Sequence, residues 1–262
     1  MSRCLLIVLV SLSLGSPLAP AAALAAAAAL DADQIIARNV AARGGLERLR
    51  SLQSLRLTGR LHIPGGNLDI TVLRVVQRGG SVRREFTLQG LTAVTAYDGA
   101  QAWKIDPFQG RKDPELMSAD EAKGLILLGD LDSPLVDYRV KGHSAEYLGL
   151  EDVDGTPAFK LRLHLKSGDE LLYFIDPDTN MIVRAVQKLT VRGVEQEGET
   201  DYGEYERVAG VYLPMSEQSG AKGSSDSDKQ QLVFETAVAN EVPPAGYFSL
   251  PAGKQAASGA VK

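Results

Sequence analysis

Cysteine is almost absent from this sequence. The one cysteine among 262 residues is Cys4, and it lies in an amino-terminal segment that has the pattern of an export signal. If that segment is removed, no thiol remains in the mature chain. Disulfide bonds, thiol catalysis and thiolate metal sites are therefore excluded, and the fold must be stabilised by its core alone.

Histidine is also scarce, and the familiar catalytic motifs are missing. His62, His143 and His164 are far apart in the sequence and lack the spacing of a metal site. No Gly-x-Ser-x-Gly nucleophile motif occurs, and the glycines near residues 44, 65 and 79 precede strands rather than the helix of a phosphate-binding loop. Residues 176–180 resemble a calcium loop but lack its central glycine and distal glutamate. These absences favour a protein that is not an enzyme and that has no metal or other cofactor.

Long runs of one charge and long hydrophobic runs are both absent after residue 29. The formal net charge is −5, from 33 acidic and 28 basic residues that are interspersed along the chain. Such mixing is unlike the basic stripe of a nucleic-acid-binding protein. No later segment has the ~20 consecutive apolar residues that a transmembrane helix needs. We therefore expect no nucleic-acid partner and no transmembrane segment in the mature chain.

The first 29 residues have the pattern of a secretory signal peptide. Arg3 supplies a short positive region, residues 5–14 are apolar, and Gly15 and Pro17 end the apolar run before an alanine-rich stretch. A transmembrane anchor is the alternative, but this run is about half the length that a bilayer requires. The predicted organisation is a signal peptide at 1–29, a single domain at 30–251 and a disordered tail at 252–262.

The periodicity of apolar residues predicts one helical segment followed by many short strands. Residues 31–50 have helical spacing, with Asp31 or Asp33 as the N-cap and a break at Gly44-Gly45. A second helix is predicted at 118–128, where Ser118 is the cap, and a short one at 134–138. Elsewhere, alternating apolar and polar residues between Asp-Gly, Asp-Pro and Gly-Gly turns predict about eleven strands.

Strands joined by short turns favour an antiparallel sheet in which sequence neighbours pair. The alternation gives this sheet one apolar and one polar face, so it must curl over its apolar side. The predicted fold is mainly β with helices (α+β): an unclosed, half-barrel antiparallel sheet of about eleven strands, covered by helices.

Apolar residues at every second position of the strands identify the face that would line a ligand cavity. Nine residues are predicted to point to the concave side of the sheet: Leu55, Leu57, Phe86, Leu88, Trp103, Leu161, Leu163, Tyr173 and Ile175. Core packing is the alternative role for Trp103, since a large indole suits both. For Tyr173 and Ile175 the choice of face is ambiguous, because the intervening residues Leu172 and Phe174 are apolar too.

The helix predicted at 118–128 is a candidate lid. Its apolar side chains need an apolar partner, and the concave face is the one surface that the flanking strands offer. Leu125, Ile126 and Leu128 are therefore predicted to cover the mouth of the cavity.

Several short motifs occur in a fixed order along nearly the whole mature chain. They are residues 41–46, residues 54–59, Tyr97-Asp98-Gly99 with Ala102-Trp103, residues 173–177 with Val183-Arg184, residues 205–208 with residues 210–214, and finally Asn240, Phe248 and Pro251. In this order they resemble the periplasmic lipoprotein-carrier superfamily, the LolA/LolB-like proteins, and especially its outer-membrane lipoprotein-sorting members.

The resemblance implies an unclosed barrel, covered by helices, around an apolar cavity for acyl chains. It also implies a periplasmic location and, as partners, the acyl chains of lipids or lipoproteins and other envelope proteins. No segment matches the lid-locking arginine of the carriers. The mature amino terminus also lacks the lipidated cysteine of the outer-membrane acceptor type.

The sequence therefore predicts a monomeric periplasmic carrier, or chaperone, that shields acyl chains between membranes and is not an enzyme. A sensor or protein-interaction module with the same fold is the first alternative, which a fixed lid and an exposed apolar edge patch would favour. A hydrolase or sugar-active enzyme is the second alternative, which a tight cluster of acids at the cavity mouth would favour.

Overall fold

The computed structural model describes residues 30–66 and 68–251. The predicted signal peptide at 1–29 and the predicted tail at 252–262 lie outside the described residues. Within the described ranges the chain forms three α-helices and thirteen β-strands, so the protein is mainly β.

The first two helices are short and begin where the sequence predicts. Helix α1 spans Ala32–Ala42 and helix α2 spans Leu46–Ser51. Asp31 caps α1 and forms a capping box with Gln34, whose backbone N–H donates to Asp31 Oδ1 over 2.8 Å. The box satisfies backbone donors that the first turn of a helix leaves unpaired.

Two glycines separate α1 from α2, which confirms the predicted break. Gly44 and Gly45 have φ angles of 121° and 91°, which residues with a side chain rarely adopt. A Cβ atom at Gly44 would clash with the carbonyl oxygen of Gly210. Gly44 is therefore required both by its conformation and by the close approach of the backbone at Gly210.

The third helix, α3, spans Ala119–Leu128. As predicted, Ser118 is its N-cap and forms a capping box with Glu121. The further helix predicted at 134–138 is wrong, because these residues form consecutive turns. Ser133 and Asp137 have positive φ angles of 84° and 53°, which interrupt a right-handed helix.

The thirteen strands form one antiparallel sheet. Their bounds are β1 Ser54–His62, β2 Ile70–Gln77, β3 Ser81–Leu88, β4 Leu91–Tyr97, β5 Ala102–Asp106, β6 Arg111–Leu116, β7 Ser144–Val153, β8 Thr156–His164, β9 Glu170–Ile175, β10 Ile182–Val191, β11 Val194–Val208, β12 Val211–Ala221 and β13 Gln230–Ala239. The order is β6-β5-β4-β3-β2-β1-β13-β12-β11-β10-β9-β8-β7. Sequence neighbours pair as predicted except for β6 and β7, which are the two edges and leave the sheet unclosed. Strand β1 also pairs with β13.

The strand count corrects the prediction of about eleven. Strand β6 is absent from the sequence-based prediction because it is polar, contains Pro114 and lies mostly exposed. Proline is tolerated there because β6 is an edge strand, whose outer N–H groups need no partner in the sheet.

The sheet curls around α3. This helix contacts β3 and β4 on one side and β10 on the other. In the strand order β4 and β10 are seven steps apart, about 34 Å in a flat sheet, whereas a ten-residue helix is about 15 Å long. The face toward α3 is therefore concave, and we call it the concave face.

Candidate functional site: the concave face and its helix

Cross-strand pairing decides which side chains lie on the concave face. Leu55 lies opposite Val76, which packs against Leu125 of α3. On the other half of the sheet, Tyr173 lines a cavity together with Leu127 of α3. Paired residues share a face, so the ladders place eight of the nine predicted lining residues on the concave face: Leu55, Leu57, Phe86, Leu88, Leu161, Leu163, Tyr173 and Ile175.

These eight residues differ in how far they are covered. Six of them are buried: Leu55, Leu57, Leu161, Leu163, Tyr173 and Ile175. Phe86 and Leu88 are half-buried and pack against the same apolar cluster as Leu57. The concave face is therefore most open toward Phe86 and Leu88, on β3.

Trp103 is the exception, and the structure corrects its assignment to the concave face. In β5, Trp103 lies opposite Ala96, whereas Ala102 lies opposite the concave-face residue Tyr97. The indole is fully buried, and its Nε1–H donates to the carbonyl oxygen of Phe248 over 2.8 Å. Trp103 is thus a core residue of the opposite face, which the carboxy-terminal segment covers.

Polar contacts fasten the first half of α3 to the sheet. Lys123 Nζ donates to the carbonyl oxygen of Thr190 over 2.6 Å and lies 3.1 Å from Asp169 Oδ1. Arg192 Nη2 donates to Glu121 Oε1 over 2.6 Å. Burial opposes the charge of Asp169, but hydrogen bonds from Thr190 N–H and a neighbouring serine, together with Lys123, outweigh burial and lower its pKa. The helix is held to β10 and to the turn before β9.

The apolar side chains of α3 divide between the sheet and solvent. Leu125 is buried against Val76 and Val82, and Leu128 is half-buried beside them. Ile126 is 40% exposed. Leu125 and Leu128 therefore cover the concave face, whereas Ile126 lies at the rim of a neighbouring cavity.

A cavity of about 180 Å³ lies between the end of α3 and strands β9 to β12. Its lining residues are Arg43, Leu127, Leu128, Asp130, Ser133, Pro134, Leu171, Tyr173, Ile182, Gln187, Tyr202, Tyr205 and Pro214. The Tyr205 hydroxyl donates to the carbonyl oxygen of Ile182 over 2.7 Å. Arg43 Nη1 donates to the carbonyl oxygen of Asp132 over 3.0 Å, and burial lowers the pKa of Arg43. Arg43 thus ties the end of α1 to the loop after α3.

Three phenols line this cavity. Burial raises the pKa of Tyr173, Tyr202 and Tyr205 well above the usual range. Each phenol is therefore protonated at neutral pH and is unsuited to act as a general base, and Tyr205 donates its hydrogen bond to the carbonyl oxygen of Ile182.

A second cavity, of about 520 Å³, adjoins the first at Leu127 and Asp130. The carboxylates at its wall are engaged in ion pairs. Arg78 donates two hydrogen bonds, of 2.7 and 2.8 Å, to the carboxylate of Asp132. Lys141 Nζ donates to Asp130 Oδ2 over 2.6 Å. These acids are neutralised by cations rather than clustered with one another as an acid–base pair would be.

On the concave face, three charged residues interrupt the apolar rows of β2, β3 and β12. Arg74 on β2 donates two 2.7 Å hydrogen bonds to the carboxylate of Glu217 on β12, and both side chains are nearly buried. Arg84 lies opposite Arg74 on β3, with its guanidinium 4.8 Å from the centre of the Phe86 ring. Burial lowers the pKa of Arg84 to about 10, and repulsion from Arg74 adds to this shift. Burial by itself would raise the pKa of Glu217, but the charge and hydrogen bonds of Arg74 have the larger effect and lower it.

The sequence-based interpretation missed these three residues, although a signal was present. In β2, Arg74 stands between Val72 and Val76, at a position where alternation predicts an apolar residue. Arg84 in β3 and Glu217 in β12 occupy equivalent positions. A charged residue at a position that alternation assigns to the apolar face is unusual, because burial of a charge is costly without a partner.

Within residues 30–66 and 68–251, no three His, Cys, Asp or Glu side chains group closely enough to hold a metal ion. None of the helices there is both long enough and apolar enough to cross a membrane.

The fold is similar to that of several solved structures. A DUF1329 family protein from Desulfovibrio piger matches with a TM-score of 0.55 and 11% identity, over 82% of this chain and 96% of that one. A LolA superfamily protein from Nitrosomonas europaea matches with a TM-score of 0.54 and 13% identity, over 82% and 96%. An outer membrane lipoprotein-sorting protein domain from Vibrio parahaemolyticus matches with a TM-score of 0.52 and 10% identity, over 82% and 95%.

In comparisons of sequence, no family model and no curated protein matches the chain. At these identities the likeness concerns the fold alone. Together with the unclosed antiparallel sheet and the helix across its concave face, it shows that this protein has a LolA-like fold.

Proposed function

We propose that this protein binds the acyl chains of a lipid or lipoprotein against its concave face, as a carrier in the periplasm. The observation that supports the proposal is the shared face of the eight predicted lining residues, of which Tyr173 also lines the cavity at the end of α3. An acyl chain gains about 0.8 kcal/mol per buried CH₂, so ten buried groups supply about 8 kcal/mol, enough for micromolar binding.

Periplasmic location is part of the same proposal, and residues 1–29 support it by their signal-peptide pattern. A role without catalysis is supported by the chemistry of the cavity walls. Their phenols are protonated, and Asp130 and Asp132 are held in ion pairs.

The proposal is tested by a matched pair of variants. Leu88→Gln places a polar side chain on the open part of the concave face. Leu116→Gln makes the same change on the opposite face, since Leu116 pairs with Trp103 and is 58% exposed. Protein purified from the periplasm is analysed by native mass spectrometry and lipid extraction, and binding of a fluorescent fatty-acid ester is titrated.

We expect lipid to copurify with the wild type and with Leu116→Gln. For Leu88→Gln we expect weaker ester binding at an unchanged melting temperature. Absence of lipid from the wild type, together with no binding of the ester, would overturn the proposal.

A protein-interaction module with the same fold is the second candidate. The observation that favours it is the fastening of α3 by Lys123 and Arg192, since a fixed helix suits a constant surface better than a lid. Hydrogen exchange of α3 separates the two functions. A carrier should show slower exchange there when lipid is bound, whereas a module should show no change with any lipid.

A further inference from the structure

One cation on the concave face lacks a partner among the described residues. Arg84 has no carboxylate within ion-pair distance there, and its buried Nε has no hydrogen-bond acceptor. The interaction that holds its guanidinium is the stacking on Phe86. A half-buried guanidinium with unused donors is costly unless something that the protein does not supply accepts its hydrogen bonds.

The charges around Arg84 do not balance. Arg74 and Glu217 neutralise each other through their two hydrogen bonds, so Arg84 leaves this patch with one excess positive charge. Thr95, which lies opposite Arg84 on β4, adds a hydroxyl group to the same face. The ladder thus places an unpaired guanidinium beside a hydroxyl, and Lys104, on the far side of Thr95, has Glu121 as its partner at 3.7 Å.

Arg84 is partly exposed and lies between the covered and the open part of the concave face. Two residues away on one side, Val82 is buried under α3. Two residues away on the other side, Phe86 and then Leu88 are half-buried on the open part of the concave face. An amphiphile with its chain on these apolar residues would have its head group within reach of Arg84.

We propose that Arg84, beside the Arg74–Glu217 pair, is the binding site for the anionic head group of the bound amphiphile. This inference rests on the proposed function and specifies its ligand class: an acyl chain that ends in a carboxylate or a phosphate. The planar fork of a guanidinium matches both oxyanions with two hydrogen bonds, and hydrogen bonds between charged groups are about twice as strong as neutral ones.

The test compares ligands that differ in head-group charge alone. Oleic acid and methyl oleate form one pair, and oleoyl lysophosphatidic acid and monooleoylglycerol form the second. Each is titrated at pH 8 by displacement of an uncharged fluorescent probe. Inorganic phosphate without any lipid is the third arm. The variants are Arg84→Gln, Arg84→Lys, and Arg56→Gln as a control with the same charge change at an exposed position on the opposite face.

We expect the wild type to bind an acid at least about tenfold more tightly than its uncharged partner, the equivalent of about 1.4 kcal/mol. Arg84→Gln should remove this preference and leave the affinity for methyl oleate unchanged, and Arg84→Lys should retain part of it. Arg56→Gln should behave as the wild type. The oleate and lysophosphatidate pairs then show whether a carboxylate or a phosphate is preferred.

Other outcomes overturn the proposal in distinguishable ways. Equal binding of acid and ester by the wild type leaves acyl-chain binding intact but refutes the head-group site. An acid preference that persists in Arg84→Gln refutes the assignment to Arg84. Competition by inorganic phosphate alone shows a site for a free anion and refutes a lipid head group. If no acyl ligand binds, the proposed function fails and this inference fails with it.

Discussion

Removal of the Glu217 carboxylate should destabilise the protein strongly. Glu217→Ala leaves Arg74, whose residue is 7% exposed, without either of its two 2.7 Å hydrogen bonds. It also leaves Arg74 and Arg84 facing each other with no counter-charge. Loss of one partner of a buried ion pair costs about 3–5 kcal/mol. In a domain of this size that corresponds to a melting temperature lower by roughly 6–20 °C.

The assay is urea denaturation followed by circular dichroism, with calorimetry for the melting temperature. The double variant Arg74→Met/Glu217→Leu removes both charges and should recover most of the lost stability, because it leaves no unpaired partner. Glu235→Ala is the control, because Glu235 forms an exposed ion pair with Arg60, and it should change stability little. A loss below about 1 kcal/mol for Glu217→Ala would mean that the pair is hydrated and would refute the reasoning.

Three further predictions concern the fold around the concave face. Trp103→Ala should lower the free energy of unfolding by about 3–5 kcal/mol, because it leaves a cavity. Lipid binding per folded molecule should persist. Loss of lipid at an unchanged melting temperature would contradict the placement of Trp103. Gly44→Ala and Gly45→Ala each place an alanine at a positive φ and should both lower the melting temperature. The decrease should be larger for Gly44→Ala, because its Cβ would clash with Gly210, whereas a Cβ at Gly45 meets no atom within 4 Å. Equal decreases would contradict this. The pKa of Asp169 is lower in the folded protein than in the unfolded chain. As the pH falls through about 4, Asp169 is therefore protonated first in the unfolded chain, and the folded protein loses stability below that pH. Asp169→Asn should therefore flatten the acid limb of a stability–pH curve, and an unchanged limb would refute the role of Asp169.

Much of the local structure was predictable because its causes are local. Capping boxes at Asp31 and Ser118 involve residues three positions apart, so they are visible in the sequence. The break at Gly44-Gly45 is visible for the same reason. The turns between strands also depend on the conformational preferences of one or two residues. Strand β6 was missed because an exposed edge strand has no alternation to reveal it.

The faces of the strands were predictable only where one face is clearly apolar. Leu55 and Leu161 alternate with polar residues, so their side of the strand is evident in the sequence. Strand β5 has five residues, with Ala102 and Trp103 buried on opposite faces, and its alternation does not say which face the helix covers. That assignment came from the pairing of Trp103 with Ala96 and from the carboxy-terminal segment that covers it.

By itself, the sequence determined most of the elements, the antiparallel pairing of neighbours and the face on which most of the apolar residues lie, because these follow from short-range spacing and from alternation with a period of two. The tertiary structure decided three other things: the pairing of β1 with β13, the position of α3 across the concave face, and the meeting of Arg74 with Glu217. Each of these joins residues that are far apart in the chain. Whether a buried charge finds a partner, as Arg74 does, or lacks one, as Arg84 does, depends on which distant strands the curled sheet brings together.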